Sequence, residues 1–343
     1  MVANSSMEGR PASHVRVADV AAAAGVSAAT ASKALNNTGQ LKESTRQRVR
    51  DAAARLGFEP DSLGRSFSRG RTITVALLTG DSVGRFSMPI LLGAENALSA
   101  GKIMVLLCDS RDDPLREEHY LRQLAAQHVD GVIVTGRQTD ARQPLDAPIP
   151  VVYAFAPSAR AGDTSVMVDD PAGAHAIHAH LHSIGRRKIA HVTGPQGQRS
   201  AKIRADAIAE AAESVGVPLV HETLFGEWSE AWGRAAADVL LTQREGELDA
   251  ITCGNDQIAR GVTERLRERN VRVPGEIAVT GFDNWDMMAE GSRPPLTTVD
   301  LQLGDIGRRA AELLLEAIAG TPQSGVELVA PRLVTRDSTV GSD

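Results

Sequence analysis

Only two cysteines, Cys108 and Cys253, occur in 343 residues, each inside an apolar run. No disulfide framework holds this chain, and such usage fits a reducing cytosol. Aromatic residues are also scarce, at 3%, so the cores must be built from the aliphatic side chains that bring the apolar share to 42%. No uninterrupted apolar stretch approaches the roughly 20 residues of a bilayer-spanning helix. The opening MVANSSMEGRPASH has no apolar signal-peptide centre and reads as a disordered tail over residues 1–14. Catalytic signatures are missing too: there is no GxSxG elbow, no GxxxxGK[ST] loop and no clean GxGxxG after the first strand-like run. These absences argue against a secreted, membrane or enzymatic protein and imply no cofactor.

Charge is present in both signs but unevenly placed. The chain carries a net −6, yet residues 1–71 hold 11 Lys and Arg against 6 Asp and Glu, while the remainder holds 26 against 37. A basic head on an acidic body confines attraction for phosphate to one end. The length suits two or three domains.

Val17 to Leu35, VADVAAAAGVSAATASKAL, predicts two short helices and a tight turn. Val17, Val20, Ala21 and Ala24 recur at helical spacing, Gly25 can take the positive φ of a sharp turn, and Ser27 can cap the second helix. There Thr30, Ala31, Ala34 and Leu35 face inward, leaving Ala28, Ala29, Ser32 and Lys33 outward. This is a helix-turn-helix pattern, whose second helix enters the DNA major groove. A third helix is expected from about Ser44 to Leu56, with Val49, Ala52, Ala53 and Leu56 on one face and a capping box from Ser44 to Gln47. Thr45, Arg46 and Arg16 are candidate phosphate contacts; solvated surface is the plainer reading of the helix's other arginines.

DVAAAAGVSAATASKALN, TRQRVRDAAARLGFEP, the later GFD and PPLTTVD together resemble the lactose-repressor family of bacterial transcription factors, over nearly the whole chain. The resemblance implies a helix-turn-helix domain over 15–60 whose DNA contacts include Ser27, Ala28, Ala29, Thr30, Lys33 and Asn36. It implies a hinge over 61–71, DSLGRSFSRGR, in which Leu63 and Phe67 approach the minor groove and Phe67 takes the place of an apolar wedge that bends the duplex. Phe67 packing on the body is the alternative. Gly64, costly in a helix, and Asp61 depart from the family pattern. The partner implied is a palindromic double-stranded operator bound by a homodimer, and no heptad tail for a tetramer follows LVTRDSTVGSD.

From Thr72 onward, runs such as ITVALLT, KIMVLLC, GVIVT, PVVYAF, KIAHVTG, DAITCG and EIAVTGF alternate with amphipathic stretches. That rhythm predicts parallel β-sheets covered by helices. By resemblance the body is a two-lobed, periplasmic-binding-protein-like α/β domain over 72–338, one lobe about 72–170 and 303–328, the other about 171–302 and 329–338. The fold class expected is therefore a small all-α head on a two-lobed α/β body.

Ligands of open α/β sheets bind beyond the C-terminal strand ends. There stand Asp81 and Phe86, Asn255 and Asp256, and Asp283, while Trp228 could stack on a sugar ring. Arg204 matches the family's ligand-gripping arginine. The expected effector is a sugar, with a purine as runner-up; Leu303 stands where an aromatic residue often closes the pocket. Plainer readings exist: Asp256 caps the next helix, Trp232 is core, and Arg204 pairs with Asp283 across the cleft. His175, His178 and His182 share a helical face as metal ligands would, but no base sits between them and no metal is expected. The rival classes are a ligand-binding module without DNA function and a sugar-processing enzyme.

Overall fold

The computed structural model describes residues 17–35, 39–56, 73–98, 103–243 and 248–341. Arg16, Asn36, Leu63 and Phe67, with the 1–14 tail and the 61–71 hinge, lie outside the described residues. The chain divides into two units, Met1–Ser68 and Arg69–Asp343.

In the first unit, α1 (Val17–Ala24), α2 (Ala28–Leu35) and α3 (Glu43–Leu56) enclose a core of Val20, Ala21, Ala24, Ala31, Ala34, Val49, Ala52 and Ala53. Alanine dominates, so the helices approach closely. Gly25, at φ 64°, ends α1, and the Ser27 hydroxyl accepts from the Thr30 amide at 3.2 Å to cap α2. The third helix departs from expectation. It begins at Glu43, where the amides of Thr45 and Arg46 donate to the Lys42 carbonyl at 2.9 and 3.2 Å. Ser44 is thus already inside the helix, and Gln47 donates to Asp51 at 2.9 Å instead of closing a capping box. Leu56, in the last turn, is 38% exposed, while Leu41 packs on the core from the preceding loop.

The second unit holds two parallel sheets. Lobe 1 is a six-stranded sheet in the order β11-β5-β4-β3-β1-β2, with β1 (Ile73–Thr79), β2 (Ile103–Asp109), β3 (Gly131–Thr135), β4 (Val151–Ala154), β5 (Thr164–Val168) and β11 (Gly325–Val329). Every strand pair is parallel, and β1 and β3 are nearly continuous apolar runs, as sheets covered on both faces require. Helices α4 (Ser87–Leu98), α5 (Pro114–Ala126) and α11 (Leu303–Ile318) accompany it, α11 lying on β3, β4 and β5 and crossing α4.

Lobe 2 is a four-stranded sheet, β7-β6-β8-β9: β6 (Ile189–Thr193), β7 (Leu224–Phe225), β8 (Ala250–Cys253) and β9 (Ala278–Thr280). Its helices are α6 (Asp170–Ser183), α7 (Arg199–Ser214), α8 (Glu230–Gln243), α9 (Asp256–Glu268) and the short α10 (Asp286–Ala289). Its core is aliphatic, with Trp228 and Trp232 packed partly buried against it. An antiparallel pair, β10 (Thr298–Asp300) with β12 (Arg332–Val334), accompanies the crossings between lobes. The chain passes between lobes after β5, after β10 and after β11. The last helix, α12 (Asp337–Val340), is pinned to lobe 2 where the Ser338 hydroxyl donates to the Val279 carbonyl at 2.6 Å.

Candidate functional site

The loops that leave β1, β6, β8 and β9 converge between the lobes, as expected at C-terminal strand ends. They enclose a cavity of about 400 Å³ lined by Phe86 and Phe155 from lobe 1 and by Arg204, Trp228, Asn255 and Asp283 from lobe 2. Phe86 and Phe155 stack with ring centres 4.6 Å apart. Trp228 lies flat against Gly194, where a Cβ would stand 2.2 Å from its ring, and its indole N–H donates to Gln198. The cavity therefore has aromatic walls.

Its polar groups form one buried chain. Arg204 donates from Nε to Asp170 at 2.8 Å, and from Nη1 to the Gly254 carbonyl at 2.6 Å and to Asp283 at 3.3 Å. Its guanidinium lies 3.8 Å over the Phe282 ring, and these bonds leave the Nη2 donors for a ligand. On its other oxygen Asp283 pairs with Arg85, which reaches over from lobe 1 and also donates to Gln257 at 3.1 Å. Burial raises the Asp283 pKa, opposed by the charges of Arg85 and Arg204. Burial and the nearby Asp283 push Asp256 up to about 8. A backbone φ of 105° at Asp283, unusual for a residue with a side chain, sets its carboxylate in the cleft.

Asp81 does not line the cavity. Its carboxylate accepts from the amides of Phe86 and Ser87 at 2.8 and 3.0 Å, because the start of α4 leaves those donors unpaired. Asn255, not Asp256, caps α9, accepting from the Ile258 amide at 2.8 Å; it still borders the cavity. Asp256 is fully buried and accepts from the Trp285 amide at 2.7 Å and the Thr298 hydroxyl at 2.5 Å. The Arg204–Asp283 pair exists but joins two parts of lobe 2; Arg85 makes the bond across the cleft. Arg85, Phe155, Gln198 and Gln257 were not read from the sequence, where only the position of Arg85 beside Phe86 after a buried strand hinted at the first. Leu303 borders an adjoining cavity instead. Trp232 packs on the lobe 2 core, as its plainer reading held, and donates to the Thr193 carbonyl at 2.9 Å.

The histidine helix is α6. His175, His178 and His182 border a surface cavity of about 380 Å³ with Glu210 and Ser214, and burial lowers the His178 pKa. Among the described residues no three such side chains are placed to hold a metal ion. His180 points away, bonded to the Thr339 hydroxyl at 2.8 Å.

In the helical unit Ala28, Ala29 and Lys33 are exposed on α2. Ser27 and Thr30 share a hydroxyl–hydroxyl bond of 2.9 Å, and Thr45 is half-buried. Arg46 is corrected as a phosphate contact: its guanidinium folds back to donate to the Gly39 carbonyl at 2.7 Å and its side chain is 12% exposed.

A buried histidine beside the cleft gives a pH-dependent term in stability. His191 on β6 bonds Thr252 at 2.8 Å, and burial depresses its pKa from 6.5 to about 4. The unfolded chain binds this proton first, so the stability that His191 contributes is whole above about pH 6.5 and lost as pH falls through about 4. Against His191→Gln, which has no such proton, the wild type should lose about 3 kcal/mol of relative stability across that window in denaturant melts. A difference that stays constant with pH would show His191 not to be held neutral.

A three-helix unit with a reading helix and a two-lobed α/β body with a polar, aromatic-walled cleft define a helix-turn-helix transcriptional regulator. The chain belongs to the lacI family of bacterial regulatory proteins. Residues 16–61 match that family and residues 178–339 match the periplasmic binding protein-like domain. It is 32% identical to the HTH-type transcriptional regulator CelR of Thermobifida fusca, over 93% of this chain and 96% of the relative. It is 29% identical to the HTH-type transcriptional repressor PurR of Aliivibrio fischeri (strain MJ11), over 94% and 98%. Among solved structures, a transcriptional regulator CelR–cellobiose complex superposes with a TM-score of 0.66 at 28% identity, covering 94% of this chain and 99% of the other. These relatives are regulators, not enzymes. No described helix is long and apolar enough to cross a membrane.

Proposed function

We infer that this regulator is a repressor that binds a palindromic operator as a homodimer and answers to a neutral, sugar-type effector in the interlobe cleft. The observation that carries the effector reading is charge cancellation between aromatic walls. Arg85 and Arg204 are matched by Asp170 and Asp283, and Arg137 at the rim by Asp112 at 2.9 Å. An anionic ligand would find no surplus cation, whereas a polyol can use the Nη2 donors of Arg204 and the Asp283 carboxylate while its ring lies on Trp228. The cellobiose of the solved CelR complex supports the same choice, and a purine is the competing ligand.

On the DNA side, Lys33 is the exposed cation of α2, and Ala28 and Ala29 offer apolar contact to thymine methyls. The family likeness extends the proposed contacts to Arg16, Asn36, Leu63 and Phe67. For the dimer, Met88 and Leu92 on α4 and Met104 and Leu107 on the edge strand β2 are between 42% and 54% exposed, apolar surface that a second copy would cover. Such a regulator works in the cytoplasm, where bacterial DNA lies.

Two tests follow. Lys33→Ala should weaken operator binding roughly tenfold and lower the slope of log K against log salt by about one, read by fluorescence anisotropy; unchanged affinity and slope would remove Lys33 from the interface. Titration calorimetry with cellobiose, glucose and hypoxanthine should register a saccharide and not the purine. Binding of hypoxanthine alone would reverse the effector assignment.

A further inference from the structure

One side chain spans the interlobe cleft. Arg85 leaves the loop between β1 and α4, and its guanidinium bonds Asp283 and Gln257 of lobe 2. Its guanidinium carbon lies over two rings, 4.7 Å from the centre of Phe86 and 4.4 Å from that of Trp285. On one side lies the cavity of about 400 Å³. On the other lies a cavity of about 630 Å³, bordered by Leu92, Trp285, Asp300 and Leu303. Arg85, Phe86 and Asp283 border both. Arg85 crosses that shared border to reach Asp283.

Arg85 occupies this place as a ligand would. A polar group over aromatic faces, bonded to a carboxylate and an amide oxygen, matches the way a sugar ring is held. The occupant is imperfectly satisfied, since its Nε is buried without a hydrogen-bond partner, and a buried donor left unpaired is a standing penalty. Its departure would not strand Asp283, which keeps its bond to Arg204. The inner cavity falls in the lower part of the usual range for small-molecule sites; the two joined reach its upper end.

Resting on the reading of this cleft as the effector site, we propose that Arg85 is an internal latch that sets ligand length. In the empty protein it ties the lobes together through Asp283. A linear saccharide of two rings displaces it and fills both cavities, while a single ring lodges in the inner cavity with the latch in place. The bond from the Arg199 amide to Asp140, 2.9 Å long, also links the lobes and stays when the latch leaves.

The test uses the full chain with Arg85→Ala, and with Arg85→Met, which keeps an apolar stem beside the two rings. Nitroxide labels replace Arg122 and Arg267, exposed on α5 of lobe 1 and α9 of lobe 2, diluted with unlabelled chain so that only distances within one chain are read. Without ligand, both variants should show longer and broader distances than the Arg85 protein; identical distributions overturn the latch. In calorimetry, cellobiose should bind both variants at least tenfold tighter than the Arg85 protein, a gain at least tenfold larger than any that glucose shows. Weaker cellobiose binding would make Arg85 a direct ligand contact and overturn the proposal. If neither sugar binds any of the three proteins, the saccharide reading and the length rule fall together, and the label distances alone decide whether the latch exists.

Discussion

Arg204→Ala should both destabilise lobe 2 and abolish any effector response. Arg204 is 4% exposed and holds Asp170, which is 1% exposed, and Asp283 at once. Its removal leaves the buried Asp170 carboxylate without its cation, Asp283 with Arg85 alone, and the Gly254 carbonyl without its donor. Breaking a buried pair from one side costs about 3–5 kcal/mol, more than the intact pair contributes, because the surviving charge cannot reach water. The guanidinium also covers the Phe282 ring, so packing is lost with charge. Lysine should not rescue it, since one ammonium cannot hold both acids in the planar geometry of the fork. Denaturant melts and calorimetry on the same variant would check both effects. A variant within about 1 kcal/mol of wild type that still binds effector would show that the buried chain is not the site's support.

Gly93→Ala should be nearly as damaging, through backbone alone. A Cβ there would stand 1.9 Å from the Gly304 carbonyl oxygen, and the reciprocal contact has Gly307 at 2.0 Å from the Ile90 oxygen. Both obstacles are main chain, so no rotamer change relieves them and α4 must part from α11. Overpacking of this kind costs about 1–3 kcal/mol and sometimes more. The functional loss should exceed the stability loss, because the start of α4 is tied through Asp81 to the loop that carries Arg85 and Phe86. The expected result is a lowered melting midpoint and weakened effector binding. Gly162→Ala, with nothing within 4 Å of the added carbon, serves as control and should change neither. Equal behaviour of the two variants would show that α4 and α11 tolerate separation.

These sites differ in how far the sequence reveals them. The turn at Gly25 and the cap at Ser27 are legible because their causes are local: a positive φ and an unpaired amide within three residues. The alternation of apolar runs and amphipathic stretches likewise announces parallel sheets. The short edge strand β11 (GVELV) and its neighbour β5 (TSVMV) are easily passed over, because β11 is mostly exposed and its partner lies about 160 residues away. Capping misleads in both directions: Asn255 precedes Asp256 and takes the cap, while Asp81, which looks free in a polar loop, caps a helix six residues on. The cross-cleft bond of Arg85 to Asp283 joins positions 198 apart. Such a pairing leaves no local pattern, so Arg204 was accessible through resemblance and Arg85 only through the fold. The same reason explains Arg46, whose neighbour at Gly39 is supplied by the loop and not by its own helix.

On this reading one chain couples a DNA-reading head to a ligand-binding body. Fluorescence anisotropy of the full chain on a palindromic site from its own upstream DNA, with and without cellobiose, tests it most directly. Binding should be tight and salt-sensitive with a stoichiometry of two chains per site, and its affinity should change at least tenfold when the saccharide is added. A monomer that binds palindromic and scrambled duplexes alike, with or without any ligand that calorimetry shows to occupy the cleft, would contradict it.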